Sequence, residues 1–280
     1  MSVADTLRNA ARALEGVSPS PRLDAELLMA DALGTGRSEM LLRHGRDDVP
    51  EVFAPLLEKR MAGQPVAQII GHQEFYGLSF KVTPAVLIPR PDTETLIDAA
   101  QQAFGDRAPT RILDCGTGTG ALLLAALSIW PESTGIGIER SPAALAVAQE
   151  NAAELGMADR AAMQPGDWTA PGWTDDLGPF DLILSNPPYV ETDDPDLAPD
   201  VRAYEPPEAL FAGADGLDDY RQLVPAFPDL LAKDGIVIIE IGSRQADTVS
   251  AIARATGLSV ELKHDLANNP RALLLRDIAE

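Results

Sequence analysis

An α/β fold with a mostly parallel sheet, preceded by a small helical domain, is the fold class that the sequence predicts. In the first seventy residues, apolar side chains recur at helical spacing, as in Val3, Leu7 and Ala10. Later in the chain, short apolar runs alternate with longer helical stretches, which is typical of a parallel sheet covered on both faces. Only residues 265–270 join the last two predicted strands. Because this connection is too short for a helical crossover, the last strand is expected to run antiparallel.

The predicted helical domain contains a second and a third helix. Ser20 and Pro21 have the sequence of an N-cap followed by a proline in the first turn, and the apolar stripe that follows stops at Gly34. A third helix is expected between Pro50 and Gly63. No side chain in this domain indicates catalysis, so its expected role is packing or the docking of a partner.

A hairpin around Gly77 is expected to link this domain to the sheet. The predicted strands are residues 111–115, 134–139, 161–164, 180–185, 236–241, 258–263 and 271–276, with helices at 120–130, 142–155 and 245–256. The expected domain limits are residues 1–70 for the helical bundle, 71–90 for the hairpin linker and 91–280 for the sheet domain.

The composition is that of a soluble globular protein, with 45% hydrophobic and 23% charged residues. The longest apolar stretch, residues 121–130, is too short to span a bilayer, and the N-terminus lacks the apolar segment of a signal peptide. A single cysteine, Cys115, excludes an internal disulfide framework and favours a cytoplasmic location. The three scattered histidines show no metal-ligand spacing, so no metal is expected.

The net charge of −21 is unevenly distributed along the chain. Residues 1–70 carry a net charge of only −2, whereas residues 191–219 contain ten acidic side chains and a single basic one, Arg202. Proteins that bind phosphates need lysine and arginine. The acidic stretch therefore argues against a nucleic acid substrate, although each single carboxylate could equally belong to a solvated loop without a role.

The acidic stretch follows a chemically unusual turn at the end of a predicted strand. Asn186, Pro187, Pro188 and Tyr189 come directly after the apolar run 180–185. The prolines keep their carbonyls but have no N–H, and the asparagine adds an amide oxygen, so hydrogen-bond acceptors dominate. Such a turn suits a planar NH2 group whose nitrogen attacks an electrophile. By itself, the motif is as consistent with a strand that simply ends at two prolines.

A glycine-rich loop follows the first predicted strand of the sheet. Glycines allow a ligand to approach the backbone, and the helix that follows offers N–H donors. Glu139 ends the next strand, where a carboxylate can accept hydrogen bonds from both hydroxyls of a ribose. The pattern alone also satisfies a tolerant dinucleotide-binding motif, which leaves a nicotinamide-dependent oxidoreductase as an alternative. The residues predicted to bind the cofactor in this region are Asp114, Gly116, Thr117, Gly118, Thr119, Gly120 and Glu139.

Two further features favour S-adenosylmethionine over a dinucleotide. Asp114 precedes the glycines, where a carboxylate would repel a pyrophosphate but could hold an ammonium group. Asp167 and Trp168 follow the third predicted strand and are positioned to pair with the adenine amino group and to cover its ring. They could instead be a turn residue and a core side chain.

Together these motifs resemble the Rossmann-like amino-methyltransferases and, more narrowly, the bacterial release factor glutamine methyltransferases. The Asn-Pro-Pro-Tyr motif specifies only the chemistry, whereas Ile88–Glu94 (I-P-R-P-D-T-E) is more specific and separates this family from its ribosomal-protein-modifying relative. The sequence departs from the family at Cys115, Glu139 and Ser243-Arg244. The other segments that carry the resemblance are Gly63–Val66, Gly71–Leu78, Asp114–Gly120, Tyr204–Pro206, Gly213–Leu217 and Glu240–Gly242.

The resemblance implies transfer of a methyl group from S-adenosylmethionine to the side-chain amide of the glutamine in a release factor's Gly-Gly-Gln loop. The Asn186 side-chain oxygen and the Pro187 carbonyl are expected to accept the two amide hydrogens, Pro188 to complete the turn and Tyr189 to flank the amide plane. Asn186 is also expected to contact the cofactor. Arg90 and Glu94 are expected to border the substrate, although ion pairs that hold the linker would explain them as well.

The expected partner is therefore a release factor, docked by the helical domain of a monomeric enzyme, with no nucleic acid or membrane partner. Two alternatives remain. An adenine-N6 methyltransferase would use the same acceptor-rich turn, but the acidic charge counts against it. A cofactor-binding module without catalysis would keep the glycine loop and lose Asn186 or Tyr189, and both are present.

Overall fold

The computed structural model describes residues 2–278 of the chain. They form two compact units. The first comprises the chain up to His72 together with Ala198–Tyr204, and the second comprises Gln73–Leu197 and the chain from Glu205 onward. Residues 1, 279 and 280, which the predicted domain limits include, lie outside the described residues.

The helices and strands alternate as the sequence pattern predicts. In chain order they are α1 (Val3–Ala13), α2 (Pro21–Ala32), α3 (Arg37–Arg43), α4 (Phe53–Met61), α5 (Val66–Ile70), β1 (His72–Phe75), β2 (Leu78–Lys81), α6 (Glu94–Phe104), β3 (Arg111–Cys115), α7 (Ala121–Ile129), β4 (Thr134–Glu139), α8 (Pro142–Glu154), β5 (Ala161–Pro165), β6 (Phe180–Ser185), α9 (Pro199–Tyr204), α10 (Asp218–Leu223), α11 (Phe227–Leu230), β7 (Leu231–Glu240), α12 (Ala246–Ala255), β8 (Leu258–His264) and β9 (Pro270–Asp277). None of the described helices is long and apolar enough to cross a membrane.

The first unit is the helical one. The apolar face of α1, with Val3 and Leu7, packs on α2, and Phe53 of α4 belongs to the same core as Leu28 and Met29 of α2. Three predicted helices are present, and the structure adds α3 and α5, which have seven and five residues. Helices this short contain too few turns to produce a clear periodic pattern, which is why the sequence did not reveal them.

The first unit also contains a helix from far along the chain. Helix α9 belongs to this unit, although it lies in the segment that follows the Asn-Pro-Pro-Tyr turn. Its last residue, Tyr204, donates its hydroxyl to the Ala62 carbonyl at 3.0 Å and accepts the Gln68 side-chain amide at 2.8 Å. These two bonds attach the segment to the ends of α4 and α5.

The second unit is built on a seven-stranded sheet in the order β5-β4-β3-β6-β7-β9-β8. Strands β3 to β7 pair in parallel, and β9 is antiparallel to both of its neighbours. The predicted antiparallel last strand is therefore confirmed. Buried side chains of α6, α7 and α8 cover one face of the sheet, and those of α10 and α12 cover the other.

The register of the parallel strands aligns the ends of four strands. One row runs across the sheet through the hydrogen-bonded neighbours Ile138, Cys115, Ser185 and Ile239. Because the strands are parallel, the residue that follows each member of the row lies at the same edge of the sheet. Those following residues are Glu139, Gly116, Asn186 and Glu240.

The predicted hairpin is strands β1 and β2, and it packs against the sheet unit through Phe75 and Phe80. Its turn consists of Tyr76 and Gly77, both with positive φ (52° and 75°), a conformation that is unfavourable for tyrosine. Glu94 offsets this cost because its Oε1 accepts the Tyr76 backbone N–H at 2.8 Å. Glu94 of the I-P-R-P-D-T-E segment thus stabilises the backbone conformation of Tyr76 in the predicted linker.

A buried ion pair in the helical unit provides a test of its stability. The Arg60 Nε donates to Asp24 Oδ2 at 2.6 Å, and both residues are buried. In Asp24→Ala the arginine charge stays buried without its partner, which we expect to destabilise the helical unit by about 3–5 kcal/mol. Hydrogen exchange of the α2 amides measures this change locally.

The control for this test is Glu39→Ala, which removes an exposed pair with Arg43 in the same unit. Its expected effect is below about 1 kcal/mol. Equal protection losses in the two variants would show that the buried pair does not stabilise the unit more than an exposed one.

Candidate active site

A cleft opens at the edge of the sheet where the aligned row ends. The predicted residues that line it are Arg90, Asp114, Gly116, Thr117, Gly118, Thr119, Glu139, Trp168, Asn186 and Pro188. Five other predicted residues do not line it, namely Glu94, Gly120, Asp167, Pro187 and Tyr189. All lining residues belong to the second unit. Other parts of the wall are formed by residues 85–87, Pro89, Pro206, Glu208 and Ala209.

The glycine-rich loop and Glu139 are joined by hydrogen bonds to form one wall of the cleft. Gly116, Gly118 and Gly120 all have positive φ, between 55° and 85°, which lets the loop turn sharply before α7. The Glu139 carboxylate accepts the Gly118 N–H at 3.0 Å and the Ser141 N–H at 2.9 Å. Both of its oxygens are thus held in place, and each retains capacity to accept from a ligand hydroxyl.

Asp114 is a buried carboxylate with one satisfied oxygen. The Thr117 hydroxyl donates to Oδ2 at 2.6 Å, whereas Oδ1 accepts no hydrogen bond of good geometry among residues 2–278. Burial raises the pKa of Asp114 to about 7, and the Thr117 hydroxyl and the Leu123 backbone N–H oppose this shift. A buried acceptor without a partner at the wall of a cleft is suited to a positively charged ligand group.

Trp168 packs against the glycine-rich loop, whereas Asp167 forms hydrogen bonds within its own turn. The Trp168 ring packs on Gly116 so closely that a Cβ there would lie 3.0 Å from it, and its Nε1 donates to Asp219 at 2.8 Å. Asp167 Oδ1 accepts the backbone N–H and the hydroxyl of Thr169, at 2.9 and 2.7 Å, and these bonds lower the pKa of Asp167. This oxygen therefore forms a turn that presents the tryptophan.

The acceptor-rich turn is held at both of its ends. At the first, Asn186 Nδ2 donates to the Thr93 hydroxyl at 3.3 Å, while no hydrogen bond reaches its Oδ1 within the described part of the chain. At the other, the Tyr189 hydroxyl donates to Glu240 Oε1 at 3.1 Å. Pro187 and Pro188 between them are buried. The turn thus leaves the oxygen of the Asn186 side chain available as an acceptor.

The backbone of Tyr189 is fixed by a second set of contacts. Its carbonyl accepts the Gln245 side-chain amide at 3.0 Å. A Cβ on Gly216 would lie 2.4 Å from the same carbonyl, so only glycine fits there. Burial raises the pKa of the Tyr189 phenol well above its ordinary value, with a further contribution from the Glu240 charge. The phenol is therefore a hydrogen-bond donor at neutral pH.

Arg90 and Glu94 occupy different surroundings. Arg90 lines the cleft and forms an ion pair with Glu205, whose other oxygen accepts the Ile88 N–H at 3.1 Å. Glu205 is only 4% exposed. Glu94 binds the hairpin turn at Tyr76 instead. The contacts of both residues hold the linker, and only the arginine also faces the cleft.

The acidic stretch 191–219 is less uniform than its composition indicates. Glu205 is buried against Arg90, and Asp219 accepts a hydrogen bond from Trp168. Asp215 and Asp218 both pair with Arg221. Two of these carboxylates, Glu205 and Asp219, therefore hold residues that line the cleft.

Thr93 and Glu240 also contact the acceptor-rich turn, directly at Asn186 and Tyr189, but their sequence context does not predict a role for them. Both lie within segments that carry the family resemblance, and neither lies near Asn186 in the sequence. One signal could have revealed Glu240. It follows a run of buried apolar residues at the carboxyl end of a parallel strand, as Asn186 does. For Thr93 the sequence carries no such signal. No cluster of side chains that could hold a metal ion occurs in residues 2–278.

Comparisons with known proteins place this chain in a family. Residues 5–71 match the PrmC N-terminal domain, and residues 106–268 match a methyltransferase domain. A release factor glutamine methyltransferase from Moorella thermoacetica is 41% identical, with 98% of each chain covered. The chain belongs to the release factor glutamine methyltransferase family. A second member, from Caulobacter vibrioides, is 41% identical over 91% of this chain and 89% of that protein.

The fold is found in solved methyltransferase structures as well. A methyltransferase from Pyrococcus furiosus superposes with a TM-score of 0.52 at 17% identity, and covers 72% of this chain and 89% of its own. The predicted fold class and the family resemblance are therefore confirmed. The oxidoreductase alternative is wrong, because the sheet domain matches a methyltransferase family.

A matched pair of glycine substitutions tests the packing of Trp168. Gly116→Ala and Gly118→Ala both introduce a side chain at positive φ, at a cost of about 1 kcal/mol each. Only the first collides with Trp168, since nothing lies within 4 Å of a Cβ at Gly118. We expect Gly116→Ala alone to shift the tryptophan fluorescence, and Trp168→Phe to abolish that shift. Equal spectra for the two alanine variants would contradict the close packing.

Proposed function

We propose that this protein transfers a methyl group from S-adenosylmethionine to the side-chain amide nitrogen of the glutamine in the Gly-Gly-Gln loop of peptide chain release factors. One observation carries the proposal beyond the names of the relatives. Asn186 and Asp114 line the same cleft, and each has a side-chain oxygen without a hydrogen-bond partner of good geometry among the described residues. The first suits an amide NH2 group and the second suits an ammonium group.

The residues of the cleft fit the functional groups of S-adenosylmethionine. Asp114 Oδ1 would accept from the ammonium group, and the Glu139 carboxylate would accept from the ribose hydroxyls. Trp168 would cover the adenine ring. When bound, the cofactor supplies an electrophilic methyl group on a sulfonium. The other residues proposed to hold it are Gly116, Thr117, Gly118, Thr119, Gly120, Asp167 and Asn186.

The turn would act on the substrate amide by positioning it. An amide nitrogen is a poor nucleophile, because its lone pair is delocalised into the carbonyl. Asn186 Oδ1 and the Pro187 carbonyl would each accept one hydrogen of the NH2 group, which directs the nitrogen lone pair toward the methyl group. Pro188 and Tyr189 would confine the amide plane. No general base is required, since the methylated amide can lose its proton to water.

The protein substrate would be recognised outside this turn. We propose that the helical unit docks the release factor and that Arg90 borders the substrate at the cleft, with Glu94 acting through the hairpin turn that it holds. The sheet unit carries most of the acidic charge, which supports a protein substrate over a nucleic acid. We propose that the enzyme acts as a cytoplasmic monomer.

Substitution of the turn asparagine tests the proposed chemistry. We expect Asn186→Ala to lower kcat by at least about 100-fold, because an acceptor made for the reacting NH2 group is lost. Cofactor affinity, measured by calorimetry, should fall far less than kcat, because Asn186 is only one of several residues proposed to hold the cofactor. The control is Asn269→Ala, an exposed asparagine outside the cleft. Near-normal turnover of Asn186→Ala would show that this side chain does not position the substrate.

The substrate class is tested with labelled S-adenosylmethionine and a mixture of a release factor, DNA and RNA. We expect label on the release factor, and none on a release factor whose Gly-Gly-Gln glutamine is replaced by alanine. Label on DNA or RNA alone would instead identify an adenine methyltransferase. Tight cofactor binding without any methyl transfer would identify a module without catalysis.

The pH dependence of cofactor binding tests the role of Asp114. A ligand cation binds the ionised carboxylate, so below the pKa of about 7 binding requires loss of the carboxyl proton. We therefore expect affinity to fall by about tenfold per pH unit between pH 7 and 5. Asp114→Asn should bind more weakly and lose this slope. An unchanged slope in Asp114→Asn would assign the pH dependence to another group.

A further inference from the structure

Glu240 is a buried carboxylate beside the proposed reaction site, and the mechanism above does not use it. It is the last residue of β7 and only 1% exposed. It follows Ile239, whose neighbour in the sheet register is Ser185, so Glu240 and Asn186 end adjacent strands at the same level. Burying a carboxylate at this position is unfavourable unless it is paired or hydrogen-bonded with neighbouring groups.

The carboxylate is connected to both ends of the acceptor-rich turn. Oε1 accepts the Tyr189 hydroxyl at 3.1 Å. Thr93, which is buried, accepts the Asn186 amide at 3.3 Å and lies close enough to the Glu240 carboxylate to lower its pKa. Oε2 accepts no hydrogen bond among the described residues. Glu240 therefore keeps an acceptor for which the neighbouring Thr93 hydroxyl is an available donor.

This arrangement determines the direction of each hydrogen bond. An ionised carboxylate can only accept, so the Thr93 hydroxyl must direct its single proton toward Glu240. The Thr93 oxygen then has only lone pairs to offer to Asn186, which must present its NH2 end to it. The amide oxygen of Asn186 is consequently left for the cleft. If the direction were reversed, the NH2 end would face the substrate NH2 group, and two donors would oppose each other.

We propose that Glu240 is a positioning residue, which acts through Thr93 to orient the Asn186 amide with its oxygen toward the substrate and at the same time holds Tyr189. The proposal rests on the proposed function in one respect, namely that Asn186 Oδ1 accepts from the substrate amide. The orientation of the Asn186 amide is itself a property of the free protein.

The charged surroundings of Glu240 decide when it can act in this way. Burial raises its pKa to about 7, while Arg271 on β9 lowers it and Asp92 raises it. Tyr189 and Tyr220 also face it, the second by donating its hydroxyl to the Glu240 carbonyl at 2.9 Å. A protonated Glu240 can donate to Thr93, which frees the Thr93 proton and thereby reverses the direction of the hydrogen bond between Thr93 and Asn186. The orientation with the Asn186 oxygen toward the cleft is therefore favoured as the pH rises through about 7.

The kinetic test uses two substitutions at Thr93, one that removes the hydroxyl and one that keeps it. Thr93→Val keeps the shape but removes the hydroxyl, so it should lower kcat by about 100-fold and leave the KM for the cofactor unchanged. Thr93→Ser keeps the hydroxyl and should restore most of the activity. Glu240→Gln, whose amide can donate to Thr93, should lower kcat by about tenfold. A role confined to stability would alter thermal unfolding and leave the rate per folded molecule intact.

The pH profile of kcat provides a second readout, measured at saturating cofactor so that Asp114 does not contribute. In the wild-type protein kcat should rise between pH 6 and 8, and in Glu240→Gln this rise should be absent. The persistence of the rise in Glu240→Gln would contradict the proposal.

The amide orientation can be measured without any turnover. In protein labelled with 15N-asparagine, the Asn186 side-chain NH2 signal is assigned through its loss in Asn186→Ala. We expect this signal to be protected from hydrogen exchange in the wild type and in Thr93→Ser, and to lose protection in Thr93→Val and Glu240→Gln. Unchanged protection in Thr93→Val and Glu240→Gln would overturn the proposal even if release factors are methylated. Lost protection without methylation would instead refute only the proposed function.

Discussion

The parallel register of β3, β4, β6 and β7 is the constraint on which the site depends. The strands align one row of residues, so the residue that follows each member of the row lies at the same edge of the sheet. Glu139, Gly116, Asn186 and Glu240 come together in this way, although they are distant in the sequence. A shift of one residue in any strand would turn its side chain to the other face and remove it from the cleft.

Two carboxylates, Asp114 and Glu240, are buried at this edge of the sheet, and ionising them there lowers the free energy of unfolding. Burial raises the pKa values of Asp114 and Glu240 to about 7, above the ordinary values of 3.8 and 4.5. The folded protein therefore holds these protons more tightly than the unfolded chain does. The free energy of unfolding that they contribute is fully present below about pH 4 and is lost as the pH rises through about 7. At neutral pH both carboxylates therefore lower the stability of the fold, which is consistent with the binding and positioning roles proposed for them.

Several family motifs outside the sheet are explained by contacts that support the cleft. Arg90 and Glu205 join the I-P-R-P-D-T-E and Tyr-Glu-Pro segments through a partly buried ion pair. Glu94 of the first segment stabilises the strained Tyr76 turn. Gly216 of the Gly-Ala-Asp-Gly-Leu segment leaves room for the Tyr189 carbonyl. Each motif therefore supplies one contact that holds a wall of the site or the acceptor-rich turn.

The sequence by itself determined the strands of the sheet, the direction of the last strand and the residue types at the cleft, because apolar runs, glycines and prolines act on the backbone locally. It left α3 and α5 unrecognised, since such short helices produce little periodicity. Only the tertiary structure decided that Thr93, Asn186 and Glu240 meet, and that one Asp167 oxygen is used in a local turn. Hydrogen-bond partners are chosen by distance and direction in space, and residues this far apart in the chain acquire both only when the sheet and its flanking segments pack.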